Sequence, residues 1–268
     1  MTFDAFIAAE KQGWHDRAAA YADHTALATI QIIPALLYAL AIRPGHRLLD
    51  VACGTGHVAG AAAALDLTAQ GVDYAPGMVA AARSRFPDLT FAEADAEALP
   101  FPDDSFDAVA CNMGLFHMGN PLRATSEATR VLRPGGRFAF SQWTGPADSE
   151  LYARLFTALT DIADMSRADP APNAYALSET EPAFQMMRDA GLSKPTVTRL
   201  ETTLIARGDD FFSFFMQFGV RVPLIVQAQD AGVQTRLRDR INTDMAPYKT
   251  ATGYEVPMPS LVYAGTKP

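Results

Sequence analysis

Apolar residues along this chain recur with two spacings, one helical and one typical of short buried strands. The segment 3–41 is Ala-rich with Leu and Ile at helical spacing, which predicts two or three helices before Pro44-Gly45 ends it. From residue 46 to Trp143, short apolar runs alternate with helical stretches. Strands separated by helices are typical of a parallel sheet. We predict strands at 46–53, 69–72, 90–92, 106–111 and 137–142, and helices at 58–65, 76–85 and 122–132.

Beyond Trp143 the alternation becomes less regular. The stretch 167–173, with Pro170 and Pro172, is the best candidate for a loop. The chain has no internal repeat, and its 268 residues are enough for one large α/β domain with an embedded smaller part. We predict helices at 149–165 and 179–190, a strand at 196–204, a helix-rich block at 209–244 and a final strand at 260–266.

Composition and charge narrow the class of partner. Hydrophobic residues make up 49% of the chain, which is enough to fill a core. The formal net charge is −8 and Lys and Arg are scattered along the chain, so we expect no nucleic-acid partner. The first residues lack the basic and apolar regions of a secretory signal. The apolar run 30–42 is broken by Gln31 and Pro34 and is too short to span a bilayer. We therefore expect a cytoplasmic protein without a membrane span.

A glycine-rich turn follows the first predicted strand, with Gly54 and Gly56 directly after the apolar run. Without a Cβ, glycine lets a ligand approach the backbone closely. The same spacing fits a dinucleotide-binding turn, since Ala59 stands at the third glycine position and Asp73 lies about twenty residues on. The turn therefore predicts a nucleotide-like ligand without deciding which one.

Two acidic residues favour a cationic ligand over a dinucleotide. Asp50 lies inside the strand end, where it would repel a pyrophosphate and attract a sulfonium or ammonium group. Asp95 follows the third predicted strand, a position at which a dinucleotide site requires no acid. A nicotinamide-dependent oxidoreductase is thus the less favoured alternative.

Four motifs carry a resemblance to a known family. In one-letter code they are LLDVACGTG at 48–56, GVDYAPGM at 71–78, ADAEALPFPDDSFDAV at 94–109 and RVLRPGG at 130–136. In this order and spacing, the segment 47–143 resembles the class I S-adenosylmethionine-dependent methyltransferases. Within that family it is most similar to the ubiquinone and menaquinone C-methyltransferases and to natural-product small-molecule methyltransferases.

The resemblance implies a fold, a cofactor and a reaction. The fold is a Rossmann-like α/β fold with a seven-stranded mixed sheet of order 3-2-1-4-5-7-6. It has a helical lid at 1–43, a cofactor-binding core at 44–145, and a part at 146–268 that completes the sheet and carries a helical cap at about 208–246. The cofactor is S-adenosyl-L-methionine and its product is S-adenosyl-L-homocysteine. The partner is a small, partly apolar or aromatic acceptor, with O- or C-methylation favoured over N-methylation. A non-methylating use of the cofactor is the alternative, and a homo-oligomer is left open.

The resemblance also implies a set of cofactor-binding residues. Gly54 and Gly56 line the methionine part and Asp50 supports its amino end. Asp73 accepts the ribose hydroxyls, while Asp95 and the backbone of Ala96 read the adenine. The alternative for the aspartates at the strand ends is capping of the following turns. The full set is Tyr21, Asp50, Ala52, Gly54, Gly56, Asp73, Tyr74, Met78, Asp95, Ala96, Asn112 and Met113.

His117, just past the fourth predicted strand, is the candidate general base, with a substrate-orienting or structural hydrogen bond as the alternative. Trp14 and His15 resemble the family's lid helix and are candidate substrate contacts. The alternative is that the aromatic residues of this helix only attach it to the sheet. Phe211 and Phe215 belong to a stripe of Phe at helical spacing, which is either core or the wall of an acceptor pocket.

Two cysteines complete the candidate chemistry. Cys53 and Cys111 match no metal-ligand or redox spacing, which predicts reduced thiols and no metal site. They end the first and fourth strands, which are neighbours in the implied topology, so both thiols are expected to face the cleft. Two small buried side chains are the alternative.

Overall fold

The computed structural model describes residues 3–268 and contains a seven-stranded sheet. Its strands are β1 Arg47–Val51, β2 Thr68–Asp73, β3 Thr90–Glu93, β4 Phe106–Cys111, β5 Leu132–Trp143, β6 Ser193–Leu200 and β9 Ser260–Thr266. They lie in the order β3-β2-β1-β4-β5-β9-β6. The first five strands are parallel, and β9 is antiparallel to both β5 and β6. Numbered in chain order within this sheet, the strands have the order 3-2-1-4-5-7-6 that the resemblance implied, so the fold class is confirmed.

Helices cover both faces of the sheet. Neighbouring residues of β1 point to opposite faces, so Leu48 joins one buried cluster and Leu49 joins the other. A parallel sheet needs this double cover because both of its faces are apolar. The helices are α1 Asp4–Arg17, α2 Ala26–Thr29, α3 Ile33–Ala39, α4 His57–Ala63, α5 Pro76–Arg85, α6 Pro121–Val131, α7 Glu150–Ile162 and α8 Thr180–Asp189. Helices α3 and α4 pack in one layer, and α6 and α8 pack in the other.

The predicted strand at 196–204 is wrong in its extent, because the chain changes sheets within it. Strand β6 ends at Leu200, and β7 Thr203–Arg207 pairs with β8 Gly253–Pro257 in a separate two-stranded antiparallel sheet. The switch lies at Thr202, whose buried hydroxyl donates to the carbonyl of Met258 and whose carbonyl accepts from the amide of Met258 at 2.9 Å. Strand β8 was not predicted.

The block at 209–244 is helix-rich, as predicted. It forms three helices, α9 Phe211–Phe218, α10 Arg221–Gln227 and α11 Ala231–Met245, and α9 lies beside the two-stranded sheet. Asp210 caps the start of α9, and its side chain accepts a hydrogen bond from the amide of Ser213 at 3.1 Å. Within residues 3–268, no helix combines the length and the apolar character needed to cross a lipid bilayer.

Candidate functional site

A cavity of about 810 Å³ lies where the parallel strands end. Residues that follow β1, β2, β3 and β4 meet there, at the edge where α/β sheets commonly bind ligands. The sequence predicted a ligand site after these strand ends, and the cavity lies there. The predicted site residues that line it are Trp14, Tyr21, Ala52, Gly54, Asp73, Tyr74, Met78, Asp95, Ala96, Asn112, Met113, His117 and Phe215.

The glycine-rich turn presents its backbone to this cavity at Gly54. Gly54 has φ +52°, and a Cβ built on it would lie 3.7 Å from the hydroxyl oxygen of Tyr21, so the tyrosine ring covers the turn. Gly56 does not line the cavity. It has φ +83° and begins α4, and a Cβ there would lie 2.8 Å from Cζ of Phe91. Gly54 therefore forms the wall, whereas Gly56 lets the chain turn into α4.

Asp73 connects this turn to the next helix. Its Oδ2 accepts from the amide of Gly54 and its Oδ1 from the amide of Ala75, each at 2.9 Å. Burial raises the pKa of the Asp73 carboxyl, although the hydrogen bonds from Ala75 and Gly54 oppose that shift. An acidic side chain is thus held at the cavity wall in a fixed orientation.

Asp50 lies behind the wall and does not line the cavity. It is therefore not placed for the direct cofactor contact that the resemblance implied. Its Oδ2 accepts from the amide of Ala59 at 3.1 Å, in the first turn of α4. Burial, with a smaller contribution from the charge of Asp73, raises the pKa of Asp50 to about 8. A strand residue points to one face of the sheet or the other, and the Asp50 side chain points to the face that carries α4. The observed contact is therefore capping of the first turn of α4.

The far end of the cavity is formed after β2 and β3. Met78 is almost completely buried against it, and the Tyr74 hydroxyl is buried with no partner among residues 3–268. Burial raises the pKa of Tyr74 far above its ordinary value. Asp95 Oδ1 accepts from the amide of Glu97 at 2.8 Å, which fixes the turn that also carries Ala96.

The segment after β4 is fixed by Ser141 of β5. The Ser141 hydroxyl donates to Oδ1 of Asn112 at 2.7 Å and accepts from the amide of Met113 at 2.8 Å. Met113 has φ +56°, a conformation that residues with a Cβ seldom adopt. The Asn112 amide also donates to the carbonyl of Thr29 at 3.2 Å. These bonds tie the helices that precede β1 to the cavity edge.

His117 contacts a buried acid that the sequence analysis missed. Its Nδ1 lies 2.8 Å from Oε2 of Glu10, a fully buried side chain on α1. The same oxygen accepts from Nε1 of Trp14 at 3.0 Å, and the rings of Trp14 and His117 meet edge to face with centroids 5.2 Å apart. The i, i+4 spacing of Glu10 and Trp14 places them on one helix face, but their burial was visible only in the fold.

His15, a candidate substrate contact, does not line the cavity. Its Nδ1 accepts from the amide of Gly77 at 3.0 Å, and a Cβ on Gly77 would lie 2.5 Å from the His15 carbonyl oxygen. The side chain leaves α1 on the side that faces α5, which the sequence spacing did not reveal. His15 therefore attaches α1 to the first turn of α5.

Aromatic side chains form the other end of the cavity. Phe215 lines it, whereas Phe211 is fully buried and packs on Tyr254 with ring centroids 5.4 Å apart. Phe211 is therefore core, in contrast to the predicted substrate contact. Phe218, which belongs to the same predicted stripe, also lines the cavity. The aromatic lining residues outside the stripe, which were not predicted, are Phe116, Trp143, Tyr152 and Tyr175.

A half-buried cation, Arg221, lies at this aromatic end. Its guanidinium donates to the carbonyl of Phe116 at 3.1 Å and to that of Pro172, and lies 4.7 Å from the centroid of the Phe6 ring. Burial lowers the pKa of Arg221, while the charge of Glu10 raises it. Arg221 thereby joins α10, the loop before α8 and the segment after β4.

Cys53 and Cys111 are free and buried, and neither lines the cavity, so the expectation that they face the cleft is wrong. Burial raises the pKa of both thiols far above the ordinary value. We expect N-ethylmaleimide to leave the native protein unmodified and to label both cysteines in urea, as measured by intact mass. Rapid labelling without urea would contradict this burial.

Among residues 3–268, no group of three His, Cys, Asp or Glu side chains could hold a metal ion.

Comparison with known proteins places this site in a family. Residues 49–140 match a family model described as a methyltransferase domain. A demethylmenaquinone methyltransferase of Renibacterium salmoninarum is 34% identical over 173 residues, which cover 61% of this chain and 73% of that relative. A demethylmenaquinone methyltransferase of Beutenbergia cavernae is 39% identical over 150 residues, covering 53% of this chain and 60% of the relative.

Among solved structures, the YcgJ protein of Bacillus subtilis superimposes with a TM-score of 0.63 at 21% identity, covering 88% of this chain and 98% of that one. At this identity the likeness shows the fold.

Proposed function

We propose, because this chain belongs to the class I S-adenosylmethionine-dependent methyltransferases, that it methylates an oxygen or carbon of a small aromatic acceptor of the hydroquinone type. S-adenosylmethionine is its cofactor. When bound, the cofactor supplies a methyl group on a sulfonium, which is already activated for transfer. The name of the Renibacterium relative supports a quinone-derived acceptor.

The glycine turn supports the assignment of the cofactor end of the cavity. Gly54 is in a left-handed conformation and bears no Cβ where the wall must approach a ligand. Asp73, the acid at the end of β2, suits the two ribose hydroxyls, because an ionised carboxylate is an acceptor with two oxygens. We assign the adenine to the Met78 and Asp95 end, and the methionine part to the region of Gly54, Tyr21 and the segment after β4.

The aromatic end carries the proposal for the acceptor. Its rings come from the segment after β4, from β5, from α7 and from the cap, so an acceptor placed there would be enclosed on several sides. Flat aromatic side chains favour a flat aromatic ligand. Arg221 and the His117 ring provide polar groups for oxygen atoms on such a ring. Alignment of the acceptor in this enclosed space would supply most of the rate enhancement.

His117 is proposed as the group that accepts the acceptor's proton. Its Nδ1 is occupied by Glu10, so Nε2 is the ring nitrogen available to a ligand in the cavity. Proton transfer to a positioned side chain typically contributes about 10²- to 10⁴-fold to a rate. A hydroxyl of a hydroquinone becomes a better nucleophile, at its oxygen or at the adjacent ring carbon, as it loses its proton.

A labelled-methyl assay tests this function. The enzyme is incubated with S-adenosylmethionine carrying a ¹³C-methyl group and, without oxygen, with 1,4-naphthalenediol, 2-naphthol or 2-naphthylamine. We expect S-adenosylhomocysteine together with a ¹³C-methyl group on oxygen or carbon of the hydroxylated probes, identified by NMR and mass spectrometry. Methylation of the amine alone would overturn the acceptor class. Tight cofactor binding without methyl transfer to any probe would favour a non-methylating role.

A further inference from the structure

A buried carboxylate on the lid helix is paired with the cavity histidine. Glu10 has no exposed surface, and its Oε2 receives hydrogen bonds from both Trp14 and His117. Its other oxygen, Oε1, is buried with no partner among residues 3–268. Burying a carboxylate costs free energy unless it is paired, and a fully buried glutamate is rare. This pairing therefore needs an explanation beyond helix stability.

We propose that Glu10 is a positioning residue that holds His117 as a neutral imidazole with its Nδ1 protonated and its Nε2 free to accept the acceptor's proton. The proposal rests on the proposed function, since it assigns Glu10 a part in that reaction. Glu10 itself does not line the cavity and acts through His117.

The hydrogen bond defines which nitrogen carries the proton. A carboxylate accepts only, so the Nδ1 of a neutral His117 must be the donor in the 2.8 Å contact. When the acceptor atom is oxygen, its proton moves to Nε2 as the oxygen bonds the methyl group, and the sulfur keeps the electron pair of the bond that breaks. When the acceptor atom is the adjacent ring carbon, Nε2 takes the hydroxyl proton, the carbon bonds the methyl group, and the proton of that carbon leaves to water as the aromatic ring is restored. The imidazolium that results lies next to the Glu10 carboxylate, which stabilises it.

The charges around this pair support an ionised Glu10. Burial raises the pKa of Glu10, but the charge of a protonated His117, the hydrogen bonds from His117 and Trp14, and the charge of Arg221 outweigh burial, so the pKa lies below its ordinary value. With His117 neutral, its charge is absent, and the two hydrogen bonds and Arg221 still favour the carboxylate. His117 also faces the charge of Asp73 across the cavity.

Two further groups act on Glu10 from neighbouring positions. The Arg17 guanidinium attracts the carboxylate from α1, and the Tyr74 phenol lies close enough for its own pKa to be raised by Glu10. Neither group forms a hydrogen bond with Glu10 or His117, so the Glu10 to His117 contact dominates.

Glu10 reaches His117 only while α1 is docked on the core. Among the contacts that hold the helix there are the His15 bond to Gly77 and an ion pair between Lys11 and Glu93 at 2.9 Å. The base therefore needs residues from both α1 and the segment after β4, because Glu10 and His117 are 107 positions apart in the chain. Docking of α1 both closes the site and completes its proton acceptor.

Two substitutions separate the roles of the Glu10 carboxylate. Glu10→Gln keeps a hydrogen-bonding oxygen and removes the charge, whereas Glu10→Met keeps the length and removes the acceptor. We expect kcat with 1,4-naphthalenediol to fall about 10-fold in the first and about 100-fold in the second, with the KM for S-adenosylmethionine changed less than about 2-fold. Asp16→Asn, an exposed acid on the same helix, is the matched control and should leave kcat unchanged.

The pH dependence provides a readout that a structural role would not change. Loss of the negative charge disfavours the imidazolium, so the acid limb of the kcat profile should move to lower pH in Glu10→Gln. An unchanged profile together with an unchanged kcat in a folded Glu10→Gln protein would overturn the proposal. An equal loss in both variants with a large rise in KM would do the same, because it would indicate a purely structural role.

Nitrogen-15 NMR tests the geometry without any acceptor. With S-adenosylhomocysteine bound, the His117 ring, assigned by its absence in His117→Asn, should show a protonated Nδ1 in the wild type. In Glu10→Met the protonated nitrogen should become Nε2. A protonated Nε2 in the wild type would refute the positioning role even if methyl transfer occurs. The expected tautomer would support it even if all three naphthalene probes fail.

Discussion

Replacing Asp73 with alanine should weaken the binding of S-adenosylmethionine and S-adenosylhomocysteine at least about 100-fold in a calorimetric titration. A hydrogen bond to a charged group contributes about 1.5–3 kcal/mol, and two ribose hydroxyls are proposed to donate to this carboxylate. Each 1.4 kcal/mol corresponds to about 10-fold in Kd. The same carboxylate holds the Gly54 amide at 2.9 Å, so its loss also releases the cavity wall.

Two further variants make this result specific. Asp73→Asn keeps one acceptor oxygen for the backbone and should bind more tightly than the alanine variant. Asp88→Ala removes an exposed acid between α5 and β3 and should bind like the wild type. Equal affinity of wild type and Asp73→Ala would refute the assignment of the ribose. Failure of the folded wild type to bind either compound would refute the assignment of the cavity.

Substituting alanine at Gly56 should lower the free energy of unfolding by about 2–5 kcal/mol. The left-handed conformation, φ +83°, costs a residue with a Cβ about 1–2 kcal/mol. The new Cβ would also lie 2.8 Å from Cζ of Phe91, and overpacking of this kind costs typically about 1–3 kcal/mol. Urea unfolding followed by circular dichroism measures the loss.

Gly135→Ala isolates the packing part of that effect. Gly135 has a nearly identical φ of +80°, but a Cβ there would meet no atom within 4 Å. This variant should therefore lose only the backbone part, about 1–2 kcal/mol. Equal losses in the two variants would mean that Phe91 moves aside at no cost. The difference between them measures how tightly α4 packs against β3.

Much of the fold was predictable because its elements have strong local signals. Helix α5 and strands β4 and β9 have the predicted bounds, since Pro or turn residues flank apolar segments there. Strand β8 lacked such a signal, since Gly253 and Pro257 stand at its ends and only its pairing with β7 makes it a strand. The end of β6 was missed because the change of sheet at Thr202 depends on tertiary hydrogen bonds.

The sequence predicted which residues line the cavity well where the position of the backbone determines it, and less well where the direction of the side chain determines it. Asp73 lines the cavity because it ends a strand. Asp50 also lies at a strand end, yet its side chain faces α4. The stripe containing Phe211 and Phe215 was correctly placed on one helix, but which ring reaches the cavity depends on Tyr254. Glu10 gave no local signal, since a glutamate in a helix is usually exposed.

The position of the tryptophans has a practical consequence. The chain contains two tryptophans, Trp14 and Trp143, and both line the cavity. Their intrinsic fluorescence therefore reports from two places in the cavity wall, and binding there can be followed without a label. With Trp14 replaced by phenylalanine, the remaining emission would come from Trp143 alone, so a stopped-flow experiment would follow acceptor binding at the aromatic end.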